Sequence, residues 1–317
     1  MKEIETFHSW KTHEHTDVVF KWLTGACAAL MLVIMAGIFW ALVSQSWPSI
    51  KKFGFGFLVS KSWNPVTENF GALSSMYGTL ASTVIALVIA VPLSLVIALF
   101  LVELAHPKVS YFIGNAVELL AAVPSIIYGM WGLFVFAPFM ADYVQPWLAK
   151  YFGFLPLFRG TPMGIGLLTA GIILALMILP FISAVMRDVF RMVPPIMKEA
   201  GYGMGATTWE VTRDVTIRYG IQGMLGACFL GLGRAIGETM AVTFVIGNSS
   251  KISASLFAPG NSIASRLANE FAEASDQMYL SALMELGLVL FLMTLALQII
   301  TQVWLKRIKK KMGGDLL

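Results

Sequence analysis

The chain has 317 residues, 57% of them hydrophobic and only 13% charged, with a mean hydropathy of +0.76. That balance excludes an ordinary soluble domain and predicts an integral membrane protein. The net charge of +4 does not imply nucleic acid as a partner, and Cys27 and Cys228 both fall inside apolar runs, so no disulfide is expected.

The N-terminal stretch MKEIETFHSWKTHEHTDVVFKW carries three lysines and four acids before any long apolar run, which is not the layout of a cleavable signal peptide. The run that follows is therefore expected to stay as a helix. His8, His13 and His15 have no completed ligand set around them and read as a solvated tail rather than a metal site.

A helix needs about 20 mostly apolar residues to cross the hydrocarbon core. Six segments qualify: Trp22–Val43, Gly71–Val102, Ile113–Met140 with Glu118 near its start, Gly160–Met186, Ile221–Gly247 with Arg234 and Glu238, and Tyr279–Leu305 with Glu285. Strand patterns are absent, so the predicted fold class is all-α with six transmembrane helices. Pro92, Pro124 and Pro180 fall in mid-span, and each removes a backbone donor that hydrocarbon cannot replace.

An even number of crossings puts both termini on one side. That side holds 14 of the 22 Lys and Arg residues and the other holds 7, with Arg234 inside the membrane, so the termini are expected in the cytoplasm. Of the external segments, 45–70 carries Trp47, Phe53, Phe55, Phe57 and Trp63, rings suited to a membrane surface. Segment 248–277 is polar and ends on Glu270, Glu273 and Asp276; a solvated loop and a dock for an external partner fit it equally.

The fifth span is the chemically informative one. An Arg in mid-helix costs about 2.5–3.5 kcal/mol on insertion scales, and an acid a comparable amount. Arg234 and Glu238 stand four apart and are expected to share a helix face, although Arg ahead of Glu is the weaker order for an ion pair. Gly233, Gly237 and Ala241 run beside them at four-residue spacing, with Ala227 and Gly231 on a neighbouring line, so close packing on another helix is expected. A fixed guanidinium suits an oxyanion. Glu238 is then open to three roles: holding Arg234, weakening the site so that cargo leaves, or accepting a proton. A purely structural buried pair is the competing reading. Glu118 and Glu285 are secondary candidates for the pathway, or else protonated packing acids.

The stretch from Arg187 to Gly220 is longer than a plain helix connection needs and is expected to fold on its own. Pro195 suits the first position of a short helix over Ile196–Ala200. Gly201, Gly203 and Gly205 are expected to break that helix, and Thr207 with Glu210 has capping-box spacing that starts a second short one.

Glu199, Ala200 and Gly201, then Gly205, then Val215 and Ile217 resemble the EAA loop of ABC importer permeases, with Gly201 in place of Ala and Arg218 in place of the terminal Pro. Segments SWPSIKKFG, ELLAAVPSIIYGMWGLFVFAP, GLGRAIGETMAVTFVIGN and PGNSIASRLANEFAEA are similar to the PstC-type permeases of phosphate importers, a likeness covering most of the chain from Ser46. The resemblance implies the type I ABC importer permease fold. It divides the chain into a tail, first helix and external segment over 1–70, a permease domain over 71–305, and a basic tail over 306–317. It also implies a PstA-like second permease, a dimer of ATPase subunits carrying ATP and Mg, and an external phosphate-binding protein. The loop from Glu199 to Gly205 would be the coupling helix, and Arg234 and Glu238 match charged positions linked to transport. Phosphate enters only through this resemblance; the residues alone reach no further than an anion.

No G-x-x-x-x-G-K-[ST] loop occurs in the chain, so energy is expected from a partner or from an ion gradient. The chain is expected to be a non-enzymatic permease subunit of the bacterial inner membrane. Its rivals are a proton-coupled secondary anion transporter using Glu238, Glu118 or Glu285, and a sensor reporting to a phosphate-signalling kinase.

Overall fold

The computed structural model describes residues 11–311, with side chains from 16 to 307, so the three tail histidines lie outside the described side chains. Six helices are long and apolar enough to cross a membrane: Thr16–Phe53, Leu73–Leu104, Ser125–Phe152, Leu167–Arg191, Thr208–Ile236 and Gln277–Arg307. Among the described residues the one strand-like feature is an isolated bridge between Asn64 and Asn69. In chain order we label the helices α1 (Lys11–Phe53), α2 (Leu73–Leu104), α3 (Pro107–Ala121), α4 (Ser125–Phe152), α5 (Leu167–Arg191), α6 (Pro195–Gly203), α7 (Thr208–Ile236), α8 (Ile263–Glu270) and α9 (Gln277–Lys311).

Helix α5 is the hub, with two-thirds of its apolar window buried against less than a third in every other span. What lets it sink into the bundle is a ridge of small residues on α2. Gly78, Ser82, Ala86, Ala90, Ser94 and Ala98 recur every four residues and are all buried. Small side chains on one row let backbones approach closely. Gly171 of α5 answers them, since a Cβ there would lie 2.5 Å from Ile85. Ser94 also donates to the Leu179 carbonyl at 3.0 Å, beside Pro180 in the middle of α5.

The third span differs from its sequence-based expectation. Residues 107–121 form a separate helix, α3, begun by Pro107 and ended before Pro124, and the crossing helix starts only at Ser125. Pro124 is thus the residue that opens α4, not a mid-helix break, because proline forces its predecessor out of helical backbone. Glu118, placed near the start of that span, instead sits on α3, outside the six spans. Within α4, two wide π turns, Gly132–Phe136 and Met140–Val144, precede Pro138 and Pro146, whose missing N–H groups interrupt the ladder.

Segments 45–70 and 248–277 fold back onto the bundle. Phe57 and Phe70 are buried and pack with Phe53, Trp63 and Tyr279, so these rings form a core instead of a surface belt, whereas Phe55 is exposed. Residues 248–277 form an ordered cap: the amides of Leu167 and Leu168 donate to Ala258 and Leu256 carbonyls, and Thr79 accepts from the Ile263 amide at 2.9 Å. Arg266 of α8 is 2% exposed, with its guanidinium 4.5 Å over the Trp63 ring. Trp63 and Tyr279 both donate to Glu270, at 2.6 and 2.7 Å.

Helix α1 makes its contacts mainly with α9. There the Ser281 hydroxyl enters the α1 backbone ladder, donating to the Gln45 carbonyl at 2.9 Å and accepting from the Ser49 amide at 3.0 Å. The insertion flanks Pro48, a place where the helix ladder is already interrupted.

Candidate substrate passage and candidate coupling element

Helix α7 ends at Ile236, eleven residues before the expected end of its span. Gly237 closes it, Glu238 and Thr239 cross a break, and a single turn at Met240–Thr243 resumes. Arg234 and Glu238 therefore do not share a continuous helix face: the break turns the chain between them. Arg234 occupies the last turn of α7, where a cation complements the negative end of the helix dipole. Its guanidinium is exposed and lies 5.7 Å over the Phe181 ring of α5; no hydrogen bond or ion pair to a carboxylate engages it among the described residues. Glu238 is half-buried, and its Oε1 accepts from the Ala241 amide at 3.2 Å, capping the turn beyond the break.

The small residues of the fifth span divide between two neighbours. Ala227 and Gly231 face α5, where a Cβ on Gly231 would come within 2.5 Å of Ile182. Gly233 faces α9, with Gln298 Nε2 only 3.0 Å from its would-be Cβ. Across the break, Gly129 of α4 packs against Ala241 and Phe244. A discontinuous helix of this kind exposes polar backbone inside a membrane protein only where protein or a cavity receives it.

Neither secondary acid joins this site. Glu118 is exposed on α3 and pairs with Arg187, a buried residue of α5. Glu285 is 6% exposed between α1 and α9, beside Ser49. It stands thirteen residues along α9 from Gln298, about 20 Å of helix rise from the neighbour of Gly233.

The stretch from Arg187 to Gly220 contains α6, Pro195–Gly203, started by proline as expected but longer, since Gly201 and Gly203 lie inside it. The break comes at Gly205, whose φ of +85° is costly for residues with a side chain. Thr207 and Glu210 make the expected capping box, with Glu210 accepting from the Thr207 amide at 2.8 Å. The helix they start is not a second short piece but the beginning of α7. Gly201 is buried against Val211, 3.0 Å from its would-be Cβ, so α6 and α7 touch where a larger residue would push them apart. Glu199 and Ala200 are exposed, and so are Ile196, Met197, Tyr202, Met204 and Trp209, an apolar set on the knob formed by α6 and the start of α7.

Two groups were not singled out from sequence. Glu103 of α2 accepts from Lys198 of α6 at 2.7 Å and from Thr216 of α7 at 2.8 Å. Its signal was its position, one residue past the charge-free run of the second span. Arg187, read only as part of the basic stretch, is buried and crosses α3 at Gly114, where a Cβ would meet its guanidinium at 2.4 Å.

Residues 90–314 match the family model described as binding-protein-dependent transport system inner membrane component. The chain belongs to this family. Within it, the chain is 53% identical to the phosphate transport system permease protein PstC of Mesorhizobium japonicum, over 94% of this chain and 93% of that one. It is 52% identical to the protein of the same name from Pasteurella multocida, over 95% of each. Among solved structures, a permease chain of a bacterial alginate ABC transporter superposes with a TM-score of 0.62, at 16% identity, covering 93% of this chain and 98% of its own length. The methionine transporter MetNI gives a TM-score of 0.52 at 16% identity, over 75% of this chain and 94% of its own. The family member described here thus has the type I ABC importer permease fold: a multi-pass membrane transport component, not an enzyme.

Proposed function

We propose that the chain is a membrane-spanning permease subunit of an ATP-driven phosphate importer, forming the anion path together with a second, PstA-like permease. The observation that carries this is identity above one half, over nearly the whole length, to permeases named for phosphate transport. The site chemistry agrees with it. Arg234 presents a planar, permanently charged donor fork at a helix break, with no carboxylate among the described residues paired to it, which suits a phosphate oxygen better than a lysine would. Glu238, held by the Ala241 amide, shapes the break and keeps negative charge near the path, so that cargo is not trapped.

In this reading α6, with Glu199, Ala200, Gly201 and Gly205, docks its exposed apolar face into an ATPase dimer that carries ATP and Mg. An external phosphate-binding protein delivers the cargo, and a phosphate-signalling kinase is a further partner in this reading. The termini lie in the cytoplasm in this reading, which the basic excess on their side supports. ATP binding turns the paired permeases outward, and hydrolysis resets them. A proton-driven transporter gains no support: Glu118 is engaged by Arg187, and Glu285 lies apart from Arg234.

The test is Arg234→Gln in the assembled importer reconstituted in vesicles. Phosphate uptake is expected to be lost while the subunits still co-purify. Uptake at the wild-type rate would remove Arg234 from the path.

A further inference from the structure

The cytoplasmic end of α2 does not stop as an ordinary helix. Its last turn, Phe100–Leu104, is wound wide as a π turn before Ala105 passes into extended backbone. The beginning of α7 contains a second π turn, Thr212–Ile217. Such turns are rare and recur where a side chain has a task. Here the two of them bring Glu103 and Thr216 together.

The Glu103 side chain is 6% exposed and that of Lys198 is 19% exposed. Lys198 Nζ lies 2.7 Å from Glu103 Oε1, and the Thr216 hydroxyl, on a fully buried residue, donates to the same oxygen at 2.8 Å. The end of α2, the middle of α6 and the first turns of α7 thus meet on one carboxylate oxygen. Helix α2 is not a sequence neighbour of α6, so no backbone link does this work. A carboxylate so far from water is costly to leave unpaired, which keeps the three groups together when any one of the helices moves.

We infer that Glu103 is a positioning residue that delivers displacement of α6 to α2 and α7 at once. Through α7 the displacement reaches Arg234, eighteen residues or about 27 Å along that helix from Thr216. Glu103 touches no cargo; it sets how much of the lever's movement arrives at the path. The inference rests on the reading of α6 as the ATPase-facing lever.

The experiment measures phosphate taken up per ATP hydrolysed by the assembled importer in vesicles. For Glu103→Gln and Lys198→Gln, ATP hydrolysis is expected to continue while the ratio falls about five- to tenfold, the lower end of a typical coupling between sites. Thr216→Val, which removes one hydrogen bond and no charge, is expected to give a smaller fall. Exchanging the pair, Glu103→Lys with Lys198→Glu, is expected to recover the ratio relative to Glu103→Lys alone, because the Thr216 hydroxyl can accept from a lysine as well as donate to a carboxylate. A wild-type ratio in Glu103→Gln, or no recovery on exchange, overturns the inference. Should Glu103→Gln fail to assemble, a wild-type ratio in both Lys198→Gln and Thr216→Val overturns it instead. Wild-type importer without ATP-driven uptake would sink the lever reading itself and this inference with it.

Discussion

At the residue scale, the same chemical change has opposite consequences depending on what faces the position. Gly78 lies on the small ridge of α2, and a Cβ there would sit 1.9 Å from the Asn261 carbonyl oxygen of the cap over 248–277. Backbone on both sides cannot yield as a flexible side chain would, so Gly78→Ala is expected to destabilise the chain by about 1–3 kcal/mol, read as a lowered Tm in detergent. Gly25, inside α1, has nothing within 4 Å of its would-be Cβ. Gly25→Ala is accordingly expected to be neutral or to stabilise the helix by up to about 1 kcal/mol in the same measurement. Equal losses at both positions would show that the ridge does not set the α2–α5–cap spacing. Arg234 can be tested in the same graded way: Arg234→Lys keeps the charge but loses the planar fork, and uptake is expected to remain far below wild type.

At the scale of elements, one helix is shaped by a residue that ends it and another by a residue that anchors it. Helix α7 stops at Gly237, a residue that weakens helix, although the residues beyond are as apolar as those before. Helix α8 is held by Arg266, whose neighbours are the Trp63 ring, Ser250 at 2.6 Å and Glu270. Burial pushes its guanidinium down to about 10, with Glu270 opposing, so it is still a cation at neutral pH. The folded protein releases this proton before the unfolded chain does, so the stability gained from its loss begins only above about pH 10. Between pH 6 and 8 this residue is therefore expected to add no pH dependence to Tm. Arg266→Lys is not conservative, since an ammonium cannot both stack on Trp63 and reach Ser250; a fall in Tm and easier proteolysis between residues 248 and 277 are expected. A lysine variant as protected as wild type would mean that the aromatic core alone holds the cap.

At the scale of the molecule, three features stand apart: an apolar knob around α6, a broken helix at Arg234, and a cap tied to α2 and α9. Helix α1 has no buried residue in its apolar window, which leaves lipid or another chain to cover it. The purified chain alone, in vesicles under a proton gradient, is expected to accumulate no phosphate; adding the ATPase, second permease and binding protein with ATP is expected to start uptake. Gradient-driven uptake by the chain alone would restore the secondary-transporter reading.

The sequence by itself determined how many times the chain crosses the membrane, because apolar length is a local property that hydrocarbon reads directly. It also determined the capping box at Thr207 and the start of α6, because a cap involves residues only three apart. It could have revealed the α2 ridge, whose four-residue spacing from Gly78 to Ala98 is plain once sought. Tertiary structure alone decided the rest. Pro124 could break a span or open one, and only the packing of α3 beside Arg187 makes it an opening. Arg234 and Glu238 have the spacing of a helical pair, and only the end of α7 at Gly237 separates them. Glu103, Lys198 and Thr216 come from three distant stretches, and no local pattern records that they share one oxygen, because what joins them is the cost of burying charge in a place that exists only after the helices have met.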